Sequence, residues 1–183
     1  MVAAVRDGKL LRRRLEQCPP GRPGWKEYED ACVDALKYLF VPPLAEPVIQ
    51  PRTYSEIDRR DAVFPNRNIE ANNNWGHIYK ELAARLVLFE FKNYDREEVG
   101  KDETNQTRNY LTKPMGKLAI MCCNHAPNDA AHVKRNTIYS EEGKVILFVT
   151  TEQLVEMLFI KERGEDPSDL IMDMIERFYL QHE

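Results

Sequence analysis

The segment that most restricts the fold is the run from Leu86 to Tyr94, whose sequence is LVLFEFKNY. A short apolar run of this kind is typical of a β-strand with both faces covered. Side chains alternate along a strand, so Glu90 and Lys92 share one face. A carboxylate and an ammonium in such a strand lose hydration unless a metal ion or a phosphate compensates. The pair predicts a functional site, although a simple ion pair between them at the strand end is the alternative.

The remaining chain predicts an α/β fold. Apolar residues recur at helical spacing from Trp25 to Phe40, and Pro42 and Pro43 end this first helix. Strands are expected near 47–52, 56–64, 86–92, 117–122 and 144–149, and further helices near 78–85, 104–112, 129–135, 151–161 and 167–180. Helices that alternate with strands indicate a largely parallel sheet, and the early consecutive strands make it mixed. We therefore expect a mixed β-sheet of about five strands flanked by helices.

Length and composition favour one domain in the cytoplasm. The 183 residues are enough for a single core. Residues 1–24 are basic at first and then rich in Pro and Gly, which predicts an N-terminal arm before a domain at 25–183. No apolar run reaches the roughly 20 residues that cross a bilayer, so no membrane association is expected. The net charge of −4 argues against polyanion binding by the whole surface but permits a local basic groove.

Several acids can complete a site around Glu90. Asp61 lies just before the apolar pair Val63 and Phe64, and Asp58 is a rival for the same role. Two carboxylates and one amine can hold Mg²⁺ and a scissile phosphate. Glu29 lies beside the apolar face of the first helix and can face the sheet, although it can equally be a surface acid. Asp61, likewise, can simply cap its strand.

Two further patterns each allow a functional and a structural interpretation. Gln106 and Tyr110 lie one helical turn apart and can contact a phosphate or the lysine, or form an ordinary polar helix face. Cys122 and Cys123, with His125 and His132 nearby, suggest zinc. Adjacent residues on a strand point to opposite faces, however, which disfavours one tetrahedral ion. Buried, reduced thiols are expected instead.

In the order of these residues the chain resembles the PD-(D/E)XK nuclease superfamily, the restriction-endonuclease-like fold, from about Trp25 to Val149. The matching positions are Glu29 on the first helix, Asp61 on the second strand, Glu90 and Lys92 on the third strand, and Gln106 with Tyr110 on the next helix. Arg60 stands where the family name has a proline, and the long spacing between Asp61 and Glu90 implies a loop insertion.

The resemblance implies a nuclease. It assigns Asp61 and Glu90 as Mg²⁺ ligands, with Mn²⁺ as a substitute, and Lys92 as the residue at the attacking water. It further implies that Glu29 is an outer ligand of the metal or the water and that Gln106 belongs to the catalytic set. Arg60, Asn93 and Tyr110 are predicted to contact the substrate.

DNA is expected as the substrate rather than RNA, with Arg59, Lys113 and Lys117 as further basic residues that can hold its backbone. A homodimer or a regulatory partner protein is a further expectation, since cutting both strands of a duplex usually takes two sites. Two alternatives stay open. One is a catalytically inactive module that binds or assembles, and the other is the effector of a bacterial defence system, inactive until a partner arrives.

Overall fold

The computed structural model describes residues 7–53 and 59–182, where five strands form one sheet with seven α-helices around it. The strands are β1 (Val48–Ile49), β2 (Ala62–Pro65), β3 (Leu86–Lys92), β4 (Leu118–Cys123) and β5 (Val145–Thr150). The helices are α1 (Gly8–Glu16), α2 (Trp25–Phe40), α3 (Asn74–Leu82), α4 (Lys101–Tyr110), α5 (Asp129–Glu142), α6 (Thr151–Glu162) and α7 (Ser168–Leu180).

The sheet is mixed, in the order β1-β2-β3-β4-β5. The strands β1, β2 and β3 pair antiparallel, whereas β3, β4 and β5 pair parallel. The parallel pairs are joined through α4 and α5, because parallel neighbours need a crossover connection. This topology confirms the predicted α/β class and the mixed sheet of five strands.

Alternation along β3 sorts its side chains between two apolar layers. Val87, Phe89 and Phe91 pack in the layer that contains the buried faces of α1, α2, α3, α6 and α7. Leu88 packs in the second layer, which contains apolar residues of α4 and α5. Residues with even numbers continue the series of Leu88, so β3 presents its two charged side chains on the side of α4 and α5.

Local signals account for most element boundaries. The predicted bounds of α2 and β3 are confirmed to the residue. At the start of α6, Thr150 and Gln153 form a capping box, in which each side chain bonds the other residue's backbone N–H. By contrast, α5 runs to Glu142, well beyond the predicted residue 135. The predicted helix was too short because the polar sequence of α5 gives little indication of its length. Gly143, in the left-handed region at φ 64°, ends the helix.

The described part of the predicted N-terminal arm contains a helix that packs on the domain. Leu11 and Leu15 of α1 are buried in the core layer shared with α2 and α6. Arg14 forms ion pairs with Glu27 and Asp34 of α2, at 3.1 and 2.6 Å. The helix α1 is therefore an integral part of the core.

Residues 54–58, which include Asp58 and the start of the strand predicted at 56–64, lie outside the described residues; β2 begins at Ala62. No helix in the described ranges is long and apolar enough to span a membrane.

Candidate active site

Asp61 and Glu90 are neighbours across two strands. The pairing of Ala62 with Phe89 continues by one step to Asp61 and Glu90. The backbone N–H of Asp61 donates to Glu90 Oε1 at 3.3 Å, and the N–H of Phe91 donates to Asp61 Oδ2 at 2.9 Å. These reciprocal contacts hold the two carboxylates beside each other where β2 and β3 meet.

Glu90 is buried beside a second negative charge. Its side chain is 3% exposed. Burial is the largest cause that raises the pKa of Glu90, to about 8; the negative charge of Asp61 raises it further, whereas Lys92 and Arg60 act in the opposite direction. A cation that binds Glu90 would stabilise its ionised form. A buried group whose pKa is perturbed by a named partner is also a candidate functional residue.

Lys92 completes the group on the same face of β3. Its Nζ lies 3.8 Å from Glu90 Oε2, and the side chain is 18% exposed. Burial acts to raise the pKa of Glu103, on the first turn of α4, but hydrogen bonds from backbone N–H groups and from the Tyr94 hydroxyl lower it overall, with a smaller contribution from the positive charge of Lys92. Lys92 therefore lies near acids of both β3 and α4 and retains access to solvent.

Glu29 of α2 is linked to this end of the sheet by Gln50, a residue for which the sequence predicted no role. Glu29 is buried, and its Oε1 accepts a hydrogen bond from Gln50 Nε2 at 2.8 Å. The backbone N–H of Gln50 in turn donates to the carbonyl of Asp61 at 2.8 Å. Gln50 thus ties Glu29 to the strand end that carries Asp61. Its left-handed backbone, at φ 51°, is a tertiary feature with no local sequence signal.

Arg60 and Tyr110 bind each other. The guanidinium of Arg60 is buried and donates to the Tyr110 carbonyl from Nε at 3.3 Å and from Nη2 at 3.1 Å. Gln106 Nε2 donates to the Tyr110 hydroxyl at 2.8 Å. The structure thus links Gln106 and Tyr110 of α4 to Arg60, next to Asp61. These contacts give Arg60 a structural role. The substrate contacts of Arg60 and Tyr110 stay predictions.

The other predicted residues lie at opposite ends of the sheet. Asn93 follows Lys92 directly, and its Nδ2 donates to the carbonyls of Pro19 and Gly21 at 2.9 and 3.2 Å. Lys113 and Lys117 line a separate basic cleft of about 650 Å³. Lys117 precedes β4, level with the start of β3, which is the end remote from Lys92. The predicted basic surface therefore does not form one patch with Glu90.

The cysteines lie as the strand period predicts. Cys122 packs in the layer with α2, and Cys123 packs in the layer with α4 and α5, so the two thiols point to opposite faces of β4. All four cysteines are free. Burial raises the pKa of Cys123, which keeps this thiol protonated.

The donor set around Glu90 suits magnesium. Mg²⁺ binds one or two carboxylates and fills its other positions with water and phosphate oxygens. Asp61 and Glu90 supply two such carboxylates. A divalent cation bound between them would offset the repulsion between their negative charges. No group of three His, Cys, Asp or Glu side chains in 7–53 and 59–182 is arranged to hold a metal. A metal here would thus be held partly by substrate and water.

Comparison with known proteins finds a partial similarity. The chain is 34% identical over 121 residues to the putative transposon gamma-delta 80.3 kDa protein of Escherichia coli strain K12, a match that covers 65% of this chain and 17% of that protein. The similarity thus spans less than a fifth of the length of this relative. No family model matches the chain, and no solved structure matches it.

The raised pKa of Glu90 predicts how stability depends on pH in metal-free buffer. Between the ordinary value of about 4.5 and the folded value of about 8, the native state holds a proton that the unfolded chain releases. The free energy of unfolding should therefore fall as pH rises through this range, by at most about 1.4 kcal/mol per pH unit for one proton. Urea unfolding at several pH values, in the presence of a chelator, measures this slope.

The Glu90→Gln variant isolates this contribution, since glutamine keeps the acceptor for the Asp61 N–H but cannot ionise. Its slope should be flatter than that of the wild-type protein. Equal slopes in the two proteins would show that Glu90 titrates normally.

Proposed function

We propose that this protein is a metal-dependent nuclease of the PD-(D/E)XK class that hydrolyses phosphodiester bonds, with DNA as the substrate. The observation that carries the proposal is the convergence of Asp61, Glu90 and Lys92 on one face at the junction of β2 and β3. A buried acid, Glu90, beside a half-buried acid and an amine is a costly arrangement for a fold, and catalysis of phosphoryl transfer gives these groups a use.

The protein groups would divide the work by their chemistry. Asp61 and Glu90 would hold a magnesium ion, which supplies Lewis-acid activation of the phosphate and of bound water. Lys92 would orient the attacking water and donate a hydrogen bond to a phosphoryl oxygen as negative charge develops on it. Glu29, held by Gln50, would accept a hydrogen bond from an outer water.

Three considerations guide the choice of substrate and setting. The relative named for a transposon favours DNA as the first substrate to test. Free cysteines suit a reducing compartment, so the proposed setting is the cytoplasm. A homodimer or a regulatory partner protein, including one that releases a defence effector, would supply the second site or the activating signal.

The test combines cleavage with metal binding. Purified protein is incubated with plasmid and linear DNA in Mg²⁺, in Mn²⁺ and in chelator, and thermal unfolding is measured under the same conditions. We expect cleavage only with metal, together with a rise in the melting temperature that grows with metal concentration, because a ligand that binds only the native state stabilises it.

The alternative is an inactive nuclease fold that binds or assembles, which the limited number of acids at the described site favours. It predicts neither cleavage nor stabilisation by Mg²⁺. Cleavage that persists in chelator, or in the Asp61→Ala protein, would contradict the proposed nuclease site.

A further inference from the structure

A cleft lies beside the proposed site, where the loop before α2 meets the segment after β3. It measures about 540 Å³ and is lined by Gly21, Arg22, Trp25, Asn93, Tyr94 and Asp95, together with Arg96 and Glu97. Asn93 and Tyr94 follow Lys92 directly in the chain. Trp25 lies one helical turn before Glu29 on α2, about 6 Å along the helix axis. The cleft is thus adjacent to the end of the sheet that holds the acids.

The indole of Trp25 is unusually accessible. Trp25 is 50% exposed, whereas Trp75, the other tryptophan, is 1% exposed in the core. A large aromatic side chain normally gains by burying its area, so an exposed indole in a cleft can gain from a flat partner. Arg22 and Arg96 line the same cleft and are exposed. Neither arginine forms an ion pair with another described residue.

The walls of the cleft are held in place before any ligand binds. Asn93 Nδ2 bonds the carbonyls of Pro19 and Gly21 and thereby fastens the loop to the segment after β3. Gly21 has a φ of 74°, and a Cβ at this position would lie 3.0 Å from the Cβ of Asp95. Only glycine suits both the backbone and this close approach. The cleft is therefore preorganised, which reduces the entropic cost of binding.

We propose that this cleft binds an unpaired nucleobase of the substrate, stacked on Trp25, with Arg22 and Arg96 at the flanking phosphates. An aromatic platform with nearby arginines is the arrangement that recognises single-stranded nucleic acid. Asp95 and Glu97 can accept hydrogen bonds from amino groups of the base. The inference rests on the proposed function and specifies it: the strand that enters the site contains an unpaired segment, as in single-stranded DNA or a flap.

Intrinsic fluorescence tests this inference without catalysis. In chelator, a short single-stranded DNA is titrated against the wild-type protein, alongside a duplex of the same sequence and the single strand as RNA. We expect the single strand to quench the fluorescence of Trp25 and the duplex to have little effect. Quenching by RNA as well would support the same unpaired base, because every base has a stacking face.

Two tryptophan variants assign the signal. The Trp75→Phe protein should keep the quenching. The Trp25→Leu protein should lose it and bind the single strand roughly 5- to 150-fold more weakly, the range expected for one lost stacking contact. Phe159→Leu is the matched control, because Phe159 is an exposed aromatic residue (45%) on α6 that does not line the cleft. Circular dichroism verifies that each variant retains its fold.

The outcomes separate the two proposals. If the single strand neither quenches Trp25 nor loses affinity in the Trp25→Leu protein, the base-binding inference is overturned, whether or not the protein cleaves DNA with Mg²⁺. Quenching that depends on Trp25 in a protein without metal-dependent cleavage would leave the cleft assigned and refute the nuclease. Quenching by an added protein partner alone would instead assign the surface to protein binding and overturn the inference.

Discussion

Replacement of Glu90 by glutamine is expected to lower metal-dependent cleavage by at least about 100-fold, the scale on which removal of a preorganised electrostatic contact acts in catalysis. The reason lies in the position of the carboxylate. Glu90 is buried, opposite Asp61 and 3.8 Å from Lys92, so its replacement would leave Asp61 as the single proposed carboxylate ligand. Single-turnover cleavage of a labelled duplex with a single-stranded flap measures the loss.

Matched controls distinguish the site from a general loss of structure. Glu141→Gln makes the same chemical change at an exposed position near the end of α5 and should retain full activity. The Glu90→Gln protein should also lose the stabilisation by Mg²⁺ that is expected of the wild-type protein. Full activity in Glu90→Gln, with its fold intact, would remove Glu90 from the site.

Lys92→Met separates the two roles within the same strand. If Lys92 acts on water and on developing charge, this variant should lose activity but keep its stabilisation by Mg²⁺, because both proposed ligands remain. The matched control is Lys80→Met, at an exposed position on α3. Loss of metal stabilisation in Lys92→Met would contradict this division of roles.

The largest effect on stability is expected from Leu11→Ala in α1. Leu11 is fully buried in the layer shared with α2 and α6, so the substitution removes buried methyl groups and leaves a cavity. Such changes typically cost about 2 to 5 kcal/mol of the free energy of unfolding. Denaturant unfolding monitored by circular dichroism gives the value directly.

Leu10→Ala is the matched control for this experiment. It is the same substitution, one residue earlier on the same helix, but Leu10 is 44% exposed. Its effect should stay within about 0.5 kcal/mol. If Leu11→Ala has an equally small effect, α1 does not contribute to the core in solution, and residues 7–16 behave as a separate arm.

The sequence was informative where a signal is local. The apolar period of Trp25–Phe40 and the compact apolar run of Leu86–Lys92 predicted α2 and β3 to the residue. The period of two also placed Glu90 and Lys92 on one face, since alternation follows from the geometry of a single strand. The class of fold followed from the order of these elements.

The sequence was less informative where a contact joins distant segments. The burial of α1 depends on α2 and α6 rather than on its own basic sequence, so the segment was predicted only as an arm. The hydrogen bond from the Arg60 guanidinium to the Tyr110 carbonyl, 50 residues away in the chain, was not predicted, and the substrate contact of Arg60 stays a prediction. A contact between residues so far apart in the chain produces no periodic pattern in the sequence of either segment.

The sequence alone determined which charged residues lie within the sheet, because the alternation along β3 and the apolar neighbours of Glu90 and Lys92 depend only on the sequence of that strand. The tertiary structure decided which groups meet them. It set Asp61 across from Glu90 through strand register, brought Glu29 to the same end through Gln50, and placed Trp25 beside the segment that follows Lys92. Register and docking depend on packing between segments far apart in the chain, which no single segment encodes.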